Sequence, residues 1–205
     1  MIAIIDYGAG NVLSVEKALR HIGCECQLVG NGAELLRADA AVLPGVGAFG
    51  EAMRGLRDRE LCEPIHEFID QGRPFLGICL GLQVLFDSSQ ESPGEGGLGI
   101  LPGKILRLCG GPGLKIPHMG WNSLKICKPG WLLDGLGEEP YMYFVHSYFL
   151  QAEGDFVCAT AEYGDTIHAA VQQGNLAACQ FHPEKSGAAG LKILKNFARR
   201  LRKQD

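Results

Sequence analysis

A cysteine stands between two glycines in the segment Gly77-Ile78-Cys79-Leu80-Gly81, at the end of an apolar run. A nucleophile at a sharp turn between a strand and a helix needs small residues two positions away on either side, because the backbone approaches there too closely for a Cβ. The positive end of the next helix would favour the thiolate, and the backbone N–H of Leu80 would face a developing oxyanion. Cys79 is therefore the predicted nucleophile, with a buried structural cysteine as the alternative.

A thiolate nucleophile needs a base that moves protons and a carboxylate that orients the base. The segment His182-Pro183-Glu184 supplies both after an apolar run. Proline restricts its own backbone and that of the residue before it, so imidazole and carboxylate are held with little freedom. The alternative interpretation is that His182 and Glu184 form half of a metal site. No third ligand lies nearby at a useful spacing and H-E-x-x-H is absent, so we predict no metal.

The elements that position these residues alternate between strand and helix in the first half of the chain, which favours an α/β fold with a mixed, mostly parallel sheet flanked by helices. We predict a single domain over 1–205. The predicted strands cover residues 2–6, 24–29, 40–43, 75–79, 141–148, 156–161, 167–172 and 176–181. The predicted helices cover residues 12–22, 48–56, 61–69 and 188–201, with another opening at Leu80. Pro44 is expected to end the third strand, and residues 91–113 are expected to form loops.

Composition excludes several classes of protein. The chain has 205 residues, 46% of them hydrophobic and 20% charged, which is typical of a globular domain. A net charge of −4 argues against nucleic-acid binding. The chain has no run of 18 apolar residues and no basic leader, so no membrane association is expected. Eight cysteines are too few for a disulfide scaffold, which indicates reduced thiols and a cytoplasmic protein.

Longer motifs carry a family resemblance that spans the whole chain. The elbow with Gln83 after it, together with His182-Pro183-Glu184, resembles the class I glutamine amidotransferases. Further motifs resemble the glutaminase subunits of imidazole glycerol phosphate synthases within that group. These are Asp6-Tyr7-Gly8-Ala9-Gly10-Asn11, Pro44-Gly45-Val46-Gly47-Ala48-Phe49, Pro117-His118-Met119-Gly120-Trp121-Asn122, Tyr143-Phe144-Val145-His146-Ser147-Tyr148 and Phe181-His182-Pro183-Glu184-Lys185-Ser186.

The resemblance implies roles for individual residues and a flavodoxin-like amidotransferase fold. It implies Cys79 as nucleophile, His182 as acid and base, and Glu184 as the orienting carboxylate, with no cofactor. It implies oxyanion donors at Leu80 and Val46, and glutamine contacts at Gly45, Gly47, Gln83, His146, Ser147 and Tyr148. It also implies a docking face for a cyclase subunit at Tyr7, Asn11, Trp121 and Lys185.

The function implied by the resemblance is release of ammonia from glutamine. The ammonia would pass to the cyclase subunit, which forms imidazole glycerol phosphate and an aminoimidazole carboxamide ribonucleotide in histidine biosynthesis. One alternative is a glutaminase subunit that serves chorismate-derived or pyridoxal-phosphate synthesis. Another is a silent module that only scaffolds a partner, against which the intact Cys79, His182 and Glu184 argue.

Overall fold

The computed structural model describes residues 1–8, 11–111, 113–152 and 154–203. Ala9 and Gly10 of the first motif lie outside the described residues, as does Pro112 in the predicted loop region. Within the described residues, none of the helices has the length and apolar character needed to cross a bilayer.

The strands follow the chain in the order β1 (Ile2–Ile5), β2 (Cys26–Val29), β3 (Ala40–Gly45), β4 (Phe75–Cys79), β5 (Ser88–Ser89), β6 (Lys104–Arg107), β7 (His118–Ser123), β8 (Lys125–Ile126), β9 (Tyr141–His146), β10 (Tyr148–Gln151), β11 (Val157–Tyr163), β12 (Asp165–Gln173) and β13 (Leu176–Cys179). The α-helices are α1 (Val12–His21), α2 (Gly32–Leu35), α3 (Phe49–Asp58), α4 (Cys62–Asp70), α5 (Leu80–Gln83) and α6 (Gly187–Ala198). Two 3₁₀ segments cover Pro183–Lys185 and Arg199–Lys203.

The main sheet has the strand order β2-β1-β3-β4-β13-β12-β11-β8. Its first five strands are parallel, and β12, β11 and β8 continue it in antiparallel fashion. A second sheet has the strand order β10-β6-β5, and a third pairs β7 with β9. This arrangement confirms the predicted α/β fold with a mixed, mostly parallel sheet. The carboxyl ends of β3, β4 and β13 lie side by side, which is where ligands bind in open α/β sheets.

Both faces of the central strands β1, β3, β4 and β13 are buried, which explains why these four strands are almost continuously apolar. In β1, Ile2 and Ile4 pack into one core cluster, and Ala3 and Ile5 pack into the other. The first cluster includes the apolar faces of α1 and α6, and the second includes those of α3 and α4. Each fully buried Ile or Leu contributes about 1.5–3 kcal/mol to folding, and the rigid layer carries the loops at the sheet's carboxyl edge.

The prediction that Pro44 ends the third strand is wrong, because β3 continues through Pro44 to Gly45. Ala41 donates its N–H to the β4 side of the strand, to the carbonyl of Pro74 at 2.9 Å. Donors alternate along a strand, so Pro44 would donate towards β1. The pairing with β1 has already ended at Val42, and the missing N–H of proline therefore costs no ladder bond.

The region predicted to be only loops, residues 91–113, contains β6. This strand pairs with β10, where Leu106 and Ile105 lie opposite Phe149 and Leu150. The segment predicted as one strand over residues 141–148 is divided at Ser147 into β9 and β10. Long-range pairing, rather than local composition, determines these elements.

Candidate active site

Cys79 is the last residue of β4 and adopts a left-handed conformation, with φ of 55°, immediately before α5. Non-glycine residues avoid such angles, and the strain is typical of a nucleophile elbow. A Cβ on Gly81 would lie 1.8 Å from the carbonyl oxygen of Leu43, and one on Gly77 would lie 2.7 Å from that of Gly81. Both glycines are therefore required by close backbone approach.

The helix predicted to open at Leu80 is a single turn, because α5 ends at Gln83. After Val84 the chain turns so that the N–H of Leu98 can bond the carbonyl of Val84, at 2.8 Å. A single turn carries little of a helix macrodipole, so the electrostatic effect on Cys79 comes from the first N–H groups of α5.

His182 and Glu184 follow β13 and form a buried hydrogen-bonded pair. The Nδ1 of His182 lies 2.8 Å from Oε1 of Glu184, and the two side chains are 2% and 1% exposed. The His182 N–H donates to the Tyr143 carbonyl, and the Ser186 hydroxyl donates to the His182 carbonyl. These bonds fix the backbone on which the pair sits.

The second nitrogen of His182, Nε2, is buried and makes no hydrogen bond of normal geometry with the described residues. Burial lowers the pKa of His182, but hydrogen bonding to Cys79 and Glu184, together with their charges, outweighs burial and raises the pKa to about 9. The sulfur is thus close enough to act on the imidazole electrostatically. This arrangement can exchange a proton between sulfur and imidazole.

A cleft of about 310 Å³ brings most of the predicted site residues together. Predicted residues that line it are Val46, Gly47, Cys79, Leu80, Gln83, His146, Ser147, Tyr148 and His182. Glu91, Pro117 and Val145 also line it and were missed by the sequence analysis. Glu184 stands behind His182 and is not part of the lining. Among the described residues, no group of three His, Cys, Asp or Glu side chains could hold a metal ion.

The candidate oxyanion loop lies beside the cysteine, since Gly45 is the register partner of Cys79 across β3 and β4. A Cβ on Gly45 would approach the Tyr7 hydroxyl to 2.6 Å and Leu80 Cβ to 2.7 Å, which only glycine avoids. Gly47 has φ of +99°. Val46, between the two, is 39% exposed at the mouth of the cleft.

Gln83 and His146 are more buried than substrate contacts at a surface would be. Gln83 Nε2 donates to the carbonyl of Tyr148 at 3.0 Å and to Oε1 of Gln180 at 3.1 Å. His146 uses Nδ1 with the Tyr148 carbonyl at 2.9 Å and Nε2 with Nδ1 of His118 at 3.0 Å. The imidazole of His146 is therefore fully engaged within the protein, and only its backbone is left for a ligand.

The His118–His146 pair was not expected as a unit. The ring of His118 stacks between Phe144 and Tyr163, with ring centroids 4.8 and 3.9 Å away. Burial lowers the pKa of His118 to about 4. Burial first, and then the neighbouring His118 and His182, lower the pKa of His146 to about 3 against the raising effect of the Tyr148 carbonyl. Both rings are neutral near pH 7.

Gln180 is the main site residue that sequence reasoning missed. Its side chain is fully buried, and its Nε2 lies 3.6 Å from the Cys79 sulfur. The only local signal was its position two residues before His182. Its placement follows from the register of β13 on β4, where Cys179 lies opposite Ile78.

The four residues expected on a docking face differ in exposure. Trp121 is 55% exposed and Lys185 is also exposed. Asn11 is partly buried, with Nδ2 3.5 Å from Oε1 of Glu184. Tyr7 lies in the core at 2% exposure, so its side chain offers no surface to a partner. It is buried because it fills the space between β3 and α3, against Gly45 and Gly55.

Comparisons with known proteins agree with this architecture. The family model described as glutamine amidotransferase class-I matches residues 3–201. The imidazole glycerol phosphate synthase subunit HisH of Methanothermobacter thermautotrophicus is 52% identical over 98% of this chain and all of its own length. The protein of the same name from Thermosynechococcus vestitus is 54% identical over 96% of this chain and 95% of its own.

Solved structures show the same fold at lower identity. A crystal structure of a glutamine amidotransferase matches with a TM-score of 0.77 at 20% identity, over 98% of this chain and 99% of its own. The structure of PurLQS from Thermotoga maritima matches with a TM-score of 0.75 at 21% identity, over 97% of each chain. The chain therefore belongs to the class I glutamine amidotransferases, within the family of the HisH subunits of imidazole glycerol phosphate synthase.

Proposed function

We propose that the chain is a glutaminase subunit that hydrolyses glutamine at Cys79 and delivers the ammonia to a cyclase subunit of imidazole glycerol phosphate synthase. The observation that carries the proposal is the cysteine at a strained elbow in one cleft with His182, whose other nitrogen is held by Glu184. This arrangement supplies a nucleophile, a proton carrier and an orienting carboxylate.

The reaction proceeds through a thioester. The Cys79 thiolate attacks the side-chain amide carbon of glutamine, and His182 gives its proton to the departing ammonia. Water then adds to the γ-glutamyl thioester as His182 takes its proton, and the thiolate leaves. Each addition forms an oxyanion that the N–H groups of Leu80 and the Val46 loop stabilise, and losing one such donor costs about 10² to 10³ in rate.

The lining of the cleft suits a glutamine molecule. The Glu91 carboxylate lies in the cleft and can pair with the α-ammonium group, while its Oε2 is positioned by the N–H of Phe49 at 2.8 Å. Gln83 has both donor hydrogens committed inside the protein, so its Oε1 remains as an acceptor for the substrate. Backbone groups at Ser147 and Tyr148 complete the wall.

An exposed apolar stripe supports the docking of a partner. Trp121, Met119 and Tyr141 are exposed on the ribbon formed by β7 and β9. Trp121 lies opposite Tyr143, and residues two apart on a strand share a face, so these side chains lie on one side of the ribbon. Exposed aromatic and methionine side chains are typical of protein interfaces. We propose that this stripe, with Lys185, contacts the cyclase.

The chain is proposed to act as one domain in the cytoplasm. The family match spans residues 3–201 without interruption. No disulfide joins any of the eight cysteines, all of which lie in the described part of the chain, as expected in a reducing compartment.

The test is the Cys79→Ala variant, measured with the cyclase subunit present. We expect glutamate release from glutamine to be abolished, because no other nucleophile occupies the elbow. Ammonium salts should still support product formation by the complex, since the cyclase needs only ammonia. Cys109→Ala, which changes an exposed thiol, is the control and should keep full activity. Retained glutamine hydrolysis in Cys79→Ala would refute the proposal.

A further inference from the structure

Gln180 occupies a position that the proposed mechanism has not used. It follows β13 directly, beside the carboxyl end of β4, and its side chain is fully buried. A buried amide is costly unless its donors and acceptor are satisfied. The partners of this amide are Gln83 on one side and Cys79 on the other.

The direction of the Gln180 amide follows from its neighbours. The carbonyl oxygen of Tyr148 can only accept, so the atom of Gln83 that faces it, at 3.0 Å, must be the Nε2 donor. The same Nε2 faces Gln180 at 3.1 Å, and the atom facing it must therefore be the acceptor, Oε1. The NH₂ group of Gln180 is then left to point at the Cys79 sulfur, at 3.6 Å.

The Tyr148 carbonyl, at which this series of hydrogen bonds begins, also accepts a hydrogen bond from a second side chain. His146 donates from Nδ1 to the Tyr148 oxygen, which makes its Nε2 an acceptor. His118 must then donate from Nδ1 to that Nε2, and its own Nε2 faces Nδ2 of Asn122 at 3.4 Å. Every donor in the network thus has one allowed direction, and the network ends on the nucleophile.

We propose that Gln180 is a further catalytic residue of this site, whose amide N–H donates a hydrogen bond to the Cys79 thiolate while Gln83 fixes the orientation of the amide. The inference rests on the proposed function and adds a residue to the same reaction. His182, which lines the same cleft as Cys79, can also donate to the sulfur. A second donor that the neighbouring side chains hold in place keeps the sulfur charged and fixes its direction.

The bond acts at two stages. It holds the thiolate before attack, and it weakens when the sulfur becomes part of the neutral thioester. When the tetrahedral intermediate of hydrolysis collapses, the charge returns to the sulfur and the N–H of Gln180 receives it. The donor therefore raises the fraction of Cys79 that is charged before attack, and it stabilises the departing thiolate during hydrolysis.

The test is the reactivity of Cys79 towards iodoacetamide as a function of pH, measured on the Cys79 peptide by mass spectrometry. Gln180→Met keeps the length of the side chain and removes the donor. We expect the midpoint of the Cys79 alkylation profile to move upward by about one pH unit, the effect of losing one charge-assisted hydrogen bond. The exposed Cys109 and Cys127 serve as reference thiols in the same molecule and should not change.

Gln172→Met is the matched control. Its Oε1 accepts the N–H of Leu132 at 2.9 Å, so this variant also removes a glutamine hydrogen bond, but one away from the cleft. Its Cys79 profile should match that of the unmodified protein. If Gln180→Met gives that same profile, the inference is wrong. Alkylation needs no glutamine, so its result is independent of whether glutamate release supports the proposed function.

A second measurement covers the case in which Gln180→Met does not fold. In the ¹⁵N-labelled natural chain, the side-chain amide signal of Gln180, assigned through bonds, should shift with pH at the midpoint of Cys79 alkylation. The shift should vanish in Cys79→Ala. An amide signal that does not move between thiol and thiolate would overturn the inference.

Discussion

The imidazole of His182 donates from Nδ1 to Oε1 of Glu184 across 2.8 Å, with only Pro183 between the two residues in the chain. A carboxylate can only accept, so this bond fixes the tautomer and leaves Nε2 for the cysteine. Asn11 approaches the same carboxylate oxygen at 3.5 Å, which connects the pair to the first βα loop.

This geometry predicts unequal effects of changing the two residues. His182→Ala removes the proton carrier, and general acid–base catalysis is worth about 10² to 10⁴ in rate. Glu184→Gln removes only orientation and stabilisation of the imidazolium, so we expect a smaller loss of kcat. Glutamate release with the partner present measures both. Equal losses would indicate that the carboxylate takes a direct part in the chemistry.

The raised pKa of His182 predicts an alkaline limit to activity. The pKa of about 9 exceeds the value of about 6.5 for an unfolded histidine, so the charged form persists well above neutral pH. The contribution of charged His182 to folding stability is fully present below about pH 6.5 and is lost as the pH rises through about 9. We expect kcat/KM to fall near pH 9. Glu184→Gln should move this fall in kcat/KM to lower pH, because the carboxylate contributes to the raised pKa of His182. A fall at the same pH in both proteins would contradict this account.

Tyr7 provides a stability prediction. Its hydroxyl is buried with no hydrogen-bond partner among the described residues, and burial raises its pKa, as do the nearby Cys79 and Asp6. Tyr7→Phe removes only this unpaired group, so the free energy of unfolding should be unchanged or rise by up to about 1 kcal/mol. Tyr163→Phe is the control, because its hydroxyl donates to the Lys115 carbonyl at 2.7 Å, and we expect it to lose about 0.5–1.5 kcal/mol. Urea denaturation measures both, and a clear destabilisation by Tyr7→Phe would show that the hydroxyl is paired.

The oxyanion loop predicts activation by the partner. Val46 is exposed between Gly45 and Gly47, and glycines allow peptide rotations that a Cβ would hinder. We expect the isolated chain to be a poor glutaminase, with the second donor set only in the complex and further by ligand in the cyclase site. One such donor changes the rate by about 10² or more. Glutamate release should be compared for the chain alone, with partner, and with partner plus cyclase substrate. Equal rates in all three measurements would refute activation by the partner, without affecting the roles assigned to Cys79 and His182.

The sequence predicted the parts of the site that short motifs encode. In the elbow at Cys79 and in the His182-Pro183-Glu184 segment, glycine or proline restricts the backbone within a few residues of the reactive side chains. Their local geometry can therefore be predicted from the sequence. In strand β7 the apolar side chains, Met119 and Trp121, are exposed rather than buried, and the strand exists because it pairs with β9 along its whole length. Gln180 and Cys79 are 101 positions apart, and only the register of β13 brings them together. The burial of Tyr7 likewise follows from packing against Gly45 and Gly55.

Strand β13 lies between β4 and β12, and it therefore joins the parallel and antiparallel halves of the main sheet. This placement has a consequence during protein synthesis. Until Leu176–Cys179 has left the ribosome, β4 has a bare edge and the elbow has neither His182 nor Gln180 beside it. A chain still being translated thus carries its nucleophile for about half of its elongation without the groups that make it reactive, and a prematurely terminated product cannot consume glutamine.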